Sequence, residues 1–476
     1  MTMSANGKTA YDVEALRRRL ESYGQGHLLR FWEELDQEGR NRLVESIERC
    51  DLELVSRLVK GEGVFDPSSL PLENLQSPDV WPLGREGPGI TREEAKQEGE
   101  KLLREGRIAC LVVAGGQGTR LGYPGPKGTL PFGPVSGASL FEIHCTKLQA
   151  LGRKFGRTPP LLVLTSDAND SRTQEFFREH DNFRLKDVRF VRQGSLPAVD
   201  DNGRIFLAAR DQVFMSPDGH GGTLKALVRS GMLERLLTEG YRHLFYFQVD
   251  NPLVKIAEPF FLGAHSLKRS EYSLKVLRKK SPYEKLGVLV RTKDGRHYVV
   301  EYSDLPKGLA EATDQKGELR FWAGSPAIHV FDLLFFKRLA DQSVSLPYHK
   351  ARKKVPHVDD QGSRVVPERE NGIKFEQFIF DVAPFARSVL AVEASRIEEF
   401  APVKQKTGED SLEAAQQALV KLHWSWLEQK GVQVPRDPAG RPARLCEIMP
   451  TFALGPEDLP DDIAQRLPVE GPVLLK

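Results

Sequence analysis

Cysteine is scarce in this chain: four in 476 residues, Cys50, Cys110, Cys145 and Cys446, with no C-x-x-C pair. That scatter excludes a disulfide framework or a thiolate metal knuckle and predicts buried, reduced thiols. Charge of one sign is lacking too, since 68 Lys and Arg stand against 66 Asp and Glu, a formal net charge of +2. With no bulk field, neither nucleic acid nor an anionic membrane is an expected partner, and any anion must be held locally. Long apolar runs are missing: no stretch approaches the roughly 18 residues of a spanning helix, and Asp12 to Arg19 carries charge throughout with no apolar leader region. A soluble, cytoplasmic protein is expected. No obvious Ser-His or Cys-His pair signals a covalent nucleophile.

What the chain does have is length for two or three domains and a change of pattern along it. Val13, Leu16 and Leu20, then Leu28, Phe31, Trp32 and Leu35, recur at helical spacing. Pro- and Gly-rich turns between Gly61 and Gly89 read as a long connection, so residues 1–100 are expected to form a helical N-terminal accessory domain and linker. From Ile108 apolar strands alternate with amphipathic helices. Strands are predicted at 108–114, 161–165, 188–191 and 244–249, and helices near 140–151, 171–180 and 224–239. After residue 270 shorter, alternating strands such as His297–Tyr302 predict antiparallel additions. Residues 101–400 thus read as an α/β catalytic domain, and 401–476, with a helix from Ser411 to about Lys430, as a small C-terminal domain.

The run Leu111-Val112-Val113-Ala114-Gly115-Gly116-Gln117-Gly118-Thr119-Arg120-Leu121-Gly122, followed by Pro126-Lys127-Gly128, joins a buried strand to a glycine loop with two cations. Backbone amides there can face an anion with no side chain in the way. It is neither of two familiar phosphate loops. The dinucleotide spacing demands glycine where Leu121 stands, and a Walker loop demands Ser or Thr after the lysine, where Gly128 stands. Ligands of open α/β sheets collect at the carboxyl ends of strands, where this loop lies.

Three further segments carry polar groups suited to a nucleotide. The strand Phe245–Val249 runs into Asp250, and magnesium held mainly by phosphates and water needs few protein oxygens, so Asp250 is the metal candidate. Gln193, after the strand 188–191, presents the donor and acceptor that match a uracil edge. In Pro217-Asp218-Gly219-His220-Gly221-Gly222 small residues would let a base or ribose approach the backbone, and His220 could donate one hydrogen bond. Each of these, taken singly, also reads as an ordinary turn.

In order along the chain, A-G-G-Q-G-T-R-L-G, P-K-G, Q-G-x-L-P, P-D-G-x-G-G, V-D-N, V-E-Y-S, A-G, K-K-x-P-x-V-D, G-I-K-x-E-x-F-x-F-D and F-x-P-x-K resemble the UDP-N-acetylhexosamine pyrophosphorylase family, and Gly26–Trp32 resembles its accessory domain. The resemblance implies a Rossmann-like nucleotidyltransferase (GT-A-like) mixed sheet. It implies that Gly115, Gly116, Gln193, Gly219 and His220 hold the nucleotide, and that Arg120, Lys127 and Lys404 act on the phosphates. Asp250 would carry Mg2+, with Mn2+ as a substitute, and Gly287, Glu301 and Ser325 would line the sugar. Lys374, one of Lys353 and Lys354, and Asp381 are lesser candidates for phosphate and metal contacts.

The implied reaction converts UTP and N-acetylglucosamine 1-phosphate to UDP-N-acetylglucosamine and pyrophosphate by in-line displacement, needing positioned cations and no enzyme nucleophile. Partners would be UTP and a hexose 1-phosphate, and the enzyme a monomer or homodimer. Ser325 stands where eukaryotic-type relatives have Asn, and it offers no amide, so a UTP–glucose-1-phosphate uridylyltransferase or a broad UDP-sugar pyrophosphorylase stays open. A non-catalytic nucleotide-sugar binder would have no need of Arg120, Lys127 and Asp250 together, and a glycosyltransferase no use for a triphosphate loop. The run Lys350-Ala351-Arg352-Lys353-Lys354 lacks interleaved aromatics and reads as a solvated face.

Overall fold

A computed structural model describes residues 12–70 and 74–476; residues 1–11 and 71–73, part of the expected accessory region and connection, lie outside the described residues. By contact the chain forms two compact units. Among the described residues the smaller comprises 12–66, 194–222 and 345–379, and the larger 67–70, 74–193, 223–344 and 380–476.

The smaller unit packs the helices Val13–Ser22, Gln37–Glu48 and Leu52–Val59 with short hairpins from the two later segments. Asp12, Asp36 and Asp51 each accept a backbone N–H from the first turn of these helices and stop them fraying. Their apolar stripes, Leu16, Leu20, Leu43 and Ile47 among them, share one core with Leu196, Val199, Ile205 and Phe375. The Leu28–Leu35 stretch, predicted as helix, instead makes two 3-10 turns, Gly26–Leu29 and Trp32–Glu34.

The larger unit is a mixed α/β fold around a sheet of 11 strands among the described residues. Ile108–Val113, buried along its whole length, lies between His243–Gln248 and Leu161–Thr165, with Val188–Arg192 beyond, and these four run parallel. His329–Asp332 is antiparallel both to His243–Gln248 and to Tyr272–Arg278, so those two point the same way. Ala323–Ser325, Gly287–Arg291 and His297–Val300 extend the sheet antiparallel, as the alternating pattern after residue 270 predicts. The helix Leu140–Phe155, capped by Ser139 and ended by left-handed Gly156, buries side chains such as Leu140, Phe141, Leu148 and Leu151 in the same apolar cluster as Leu419, Trp424 and Leu427 of the helix Leu412–Gln429.

The helices Arg92–Glu105 and Pro259–Leu267 meet backbone to backbone: a Cβ on Gly99 would lie 1.8 Å from Pro259 O, and one on Gly263 1.7 Å from Ala95 O. The helix predicted over 224–239 is two helices, Gly222–Arg229 and Met232–Thr238, broken because Gly231 takes a φ of +69° that a continuing helix cannot use. All four cysteines are buried free thiols. No helix among the described residues is long and apolar enough to cross a membrane.

Candidate active site

At the carboxyl end of Ile108–Val113 the chain folds into a compact loop. Gly118 N donates to Gly125 O at 2.9 Å and Lys127 N to Gly116 O at 3.1 Å, which brings Pro126-Lys127-Gly128 back beside the glycines. Gly118 and Gly128 have no room for side chains: a Cβ would lie 2.8 Å from Tyr123 Cβ and 2.2 Å from the Phe141 ring. Arg120 is exposed and makes no hydrogen bond or ion pair among the described residues. Its guanidinium is free for an incoming anion.

Lys127 reaches the next strand of the sheet. Its Nζ donates to Asp250 Oδ2 at 2.8 Å, with the two side chains 15% and 17% exposed. Asp250 follows His243–Gln248, and its backbone oxygen accepts Val403 N at 2.9 Å, which places Lys404 in the same corner. Burial opposes ionisation of Asp250, but Lys127 and Lys404 outweigh it, so the carboxyl is held below its ordinary range. Lys404 also lines a cleft of about 1040 Å³ with Lys280, Lys285 and Lys421. Arg120, Lys127, Lys404 and Asp250 therefore belong to one unit, with Lys127, Lys404 and Asp250 in electrostatic contact.

Gln193 sits across from the first glycine. A Cβ on Gly115 would come within 3.2 Å of Gln193 Oε1, and the Gln193 carboxamide, in a residue 4% exposed, makes no hydrogen bond among the described residues. The sugar candidates also come together. Gly287 pairs with Ser325 across neighbouring strands, and a Cβ on Gly287 would lie 3.5 Å from Glu301 Oε1. Gly324 pairs with Leu277 near the end of Tyr272–Arg278, so this cluster shares the carboxyl edge of the sheet with Gly115 and Asp250.

Gly219 and His220 belong to the smaller unit. Gly219 has a φ of +84°, and a Cβ there would lie 2.5 Å from Gln377 O, so the glycine is needed for its own chain's close packing. His220 Nδ1 accepts Ile379 N at 3.2 Å and its ring stacks on Phe378. Burial, with help from His349, pushes its pKa down to about 4, which leaves a neutral ring whose remaining nitrogen is the donor. Lys353 and Lys374 lie on the hairpin His349–Lys353 with Gly372–Glu376, in the smaller unit. Asp381 lies in the turn Ile379–Phe385, where its charge bears on Tyr272.

Residues 82–450 match the family described as UTP–glucose-1-phosphate uridylyltransferase. The chain belongs to this family. It is 35% identical over 475 residues to the human UDP-N-acetylhexosamine pyrophosphorylase-like protein 1, covering 93% of each chain. It is 34% identical over 477 residues to UDP-N-acetylglucosamine diphosphorylase 2 of Arabidopsis thaliana, covering 95% of this chain and 90% of the relative. Among solved structures, the uridine diphosphate N-acetylglucosamine pyrophosphorylase of Trypanosoma brucei, crystallised with an inhibitor, aligns with a TM-score of 0.81 at 27% identity, covering 98% of this chain and 99% of that one.

For a uridylyltransferase of this family, three buried polar residues stand out to which the motifs assign no role. Asn251, 2% exposed, donates to Glu399 O at 2.7 Å and accepts Ala401 N at 3.1 Å, tying the segment that ends in Lys404 to the residue next to Asp250. Glu399 is in turn held by Lys275, whose Nζ lies 2.5 Å from its carboxylate. Ser166 and Asn169 contact the glycine loop from behind. In sequence, Asp-Asn-Pro and Ser-Asp-Ala-Asn read as turn and cap chemistry, and no linear signal separates that use from this one.

Proposed function

We propose that the chain transfers the uridylyl group of UTP to N-acetylglucosamine 1-phosphate, forming UDP-N-acetylglucosamine and releasing pyrophosphate. The observation that carries the reading is the junction of the glycine loop with Asp250 through Lys127, with Lys404 beside it. The names and coverage of the relatives support the same substrates. In the reaction a phosphate oxygen of the sugar phosphate forms a bond to the α-phosphorus as the bond to pyrophosphate breaks, so no group on the protein is acylated or phosphorylated. Gly115, Gly116 and Gln193 would bind the base. Arg120, Lys127 and Lys404 would neutralise charge gathering on the leaving pyrophosphate. Gly287, Glu301 and Ser325 would orient the sugar.

Mg2+, or Mn2+ in its place, suits Asp250. Its Oδ1 accepts no hydrogen bond among the described residues, and one hard protein oxygen is enough where phosphates and water complete the shell. No cluster of three or more His, Cys, Asp or Glu side chains that could hold an ion by themselves occurs among the described residues, so this would be a metal shared with the nucleotide. When bound, the ion would supply charge neutralisation at the phosphates.

The reading extends to a Rossmann-like, GT-A-like sheet and to a monomer or homodimer, and the four buried free thiols support a cytoplasmic enzyme. Ser325, 9% exposed and without an amide, favours a second reading in which glucose 1-phosphate is also accepted. Pyrophosphate release by the purified protein, with Mg2+, UTP and each sugar 1-phosphate in turn, tests both. Release that depends on UTP and on a hexose 1-phosphate is expected; no release with any sugar phosphate overturns the proposal.

A further inference from the structure

Three successive carbonyls of the glycine loop are occupied from one side. Asn169 Nδ2 donates to Ala114 O at 2.7 Å and to Gly116 O at 3.3 Å, and Ser166 Oγ donates to Gly115 O at 2.7 Å. A trans peptide is planar, with its C=O and the next residue's N–H pointing in opposite directions. Holding these three carbonyls therefore turns the amides of Gly115, Gly116 and Gln117 away from Ser166 and Asn169. None of the three amides donates to an acceptor among the described residues. They are left on the side where a ligand can take them.

Asn169 gives up a local role to do this. It occupies the N-cap position of the helix Asp170–Glu179 but makes no side-chain bond to that helix. Its Oδ1 accepts Ser166 N at 2.9 Å, which fixes the carboxamide with Nδ2 toward the loop. Ser166 is fully buried and Asn169 2% exposed, so neither side chain can touch substrate over much surface.

We propose that Ser166 and Asn169 are positioning residues for the base of UTP, holding the loop so that the amides of Gly115, Gly116 and Gln117, beside the Gln193 carboxamide, meet the carbonyl oxygens of uracil. The proposal rests on UTP being the substrate. It predicts a defect confined to the nucleotide.

Ser166→Ala, Asn169→Ala and Asn169→Asp test it, with calorimetric titration of Mg2+-UTP, the KM for the sugar 1-phosphate at saturating UTP, and the thermal midpoint. Ser166→Ala should weaken UTP binding about 5- to 10-fold and Asn169→Ala about 10- to 100-fold, since one and two hydrogen bonds are lost. The sugar-phosphate KM should stay within about twofold. Asn169→Asp keeps the acceptor for Ser166 N but loses the donor, and should bind UTP as poorly as the alanine variant. If Asn169→Ala does not fold, Ser166→Ala decides. UTP affinity unchanged in Ser166→Ala, affinity restored by Asp at 169, or equal rises in both substrate constants that follow the loss of stability would overturn the proposal. Wild-type protein that binds no UTP would overturn the substrate reading on which it rests.

Discussion

Replacing Lys127 with alanine removes the cation at the centre of the proposed site. In the folded protein its Nζ is 2.8 Å from Asp250 Oδ2 and both side chains are largely out of water, so the pair is screened little by salt. Losing one electrostatic stabiliser of a transition state costs on the order of 100-fold in turnover, about 2.7 kcal/mol, and that is the fall expected in kcat for pyrophosphate release. A second effect follows from Asp250. Its carboxyl lies below the ordinary range only because Lys127 and Lys404 outweigh burial. With Lys127 gone, burial pushes the carboxyl up, and the acid limb of the pH–rate profile moves toward neutrality. The same shift appears in stability. A depressed carboxyl contributes stability above the unfolded value of about 3.9 and loses it as pH falls through the folded value. In Lys127→Ala that contribution shrinks, so the variant should also melt earlier on acidification. At neutral pH the loss should stay below about 3 kcal/mol, the low end for breaking a buried pair, because Lys404 remains near the carboxylate. Turnover within twofold of wild type, or an acid limb that does not move, refutes this account of Lys127.

Asn251→Ala should lower kcat about 10-fold, and little further in a Lys404→Ala background, because its hydrogen bonds to Glu399 and Ala401 act by placing Lys404; fully additive losses in the double variant would count against that route. Ser325→Asn should raise the kcat/KM ratio for N-acetylglucosamine 1-phosphate over glucose 1-phosphate by roughly 10-fold if the added amide reaches the sugar, and an unchanged ratio would take Ser325 out of specificity. Gly99→Ala puts a Cβ 1.8 Å from Pro259 O, backbone that cannot give way, so a stability loss of at least about 2 kcal/mol is expected in denaturant unfolding. A loss under 0.5 kcal/mol, on the scale of a surface substitution, would mean the two helices can slide apart.

The parallel strands were legible because a short apolar stretch such as Ile108–Val113, rich in β-branched residues and ended by glycines, fits a buried strand better than a helix, and the glycine loop identified its own edge of the sheet. Asp250 and Lys127 were legible as chemistry, though not as a pair, since 123 residues separate them and only the parallel pairing of their strands joins them. The division into units was not legible. Residues 194–222 and 345–379 fold with the N-terminal helices through long-range contacts such as Gln25 to Gly203, which leave no trace in periodicity. Gly231 hid in an otherwise helical pattern because its positive φ is decided by packing, and the close approach of Gly219 to the Gln377 backbone was equally invisible in sequence. The roles of Ser166, Asn169 and Asn251 are hidden in sequence for a physical reason: Ser and Asn satisfy their own turn so readily that their use on a distant segment is invisible until the fold is known.

The central claim is uridylyl transfer to an N-acetylated sugar phosphate, and a competition measures it most directly. The protein is given UTP and Mg2+ with equal concentrations of N-acetylglucosamine 1-phosphate and glucose 1-phosphate, and the nucleotide sugars are separated by mass at early times. UDP-N-acetylglucosamine as the main product, formed one for one with pyrophosphate, is the predicted result; UDP-glucose in excess, or UTP consumed with no nucleotide sugar formed, would contradict it.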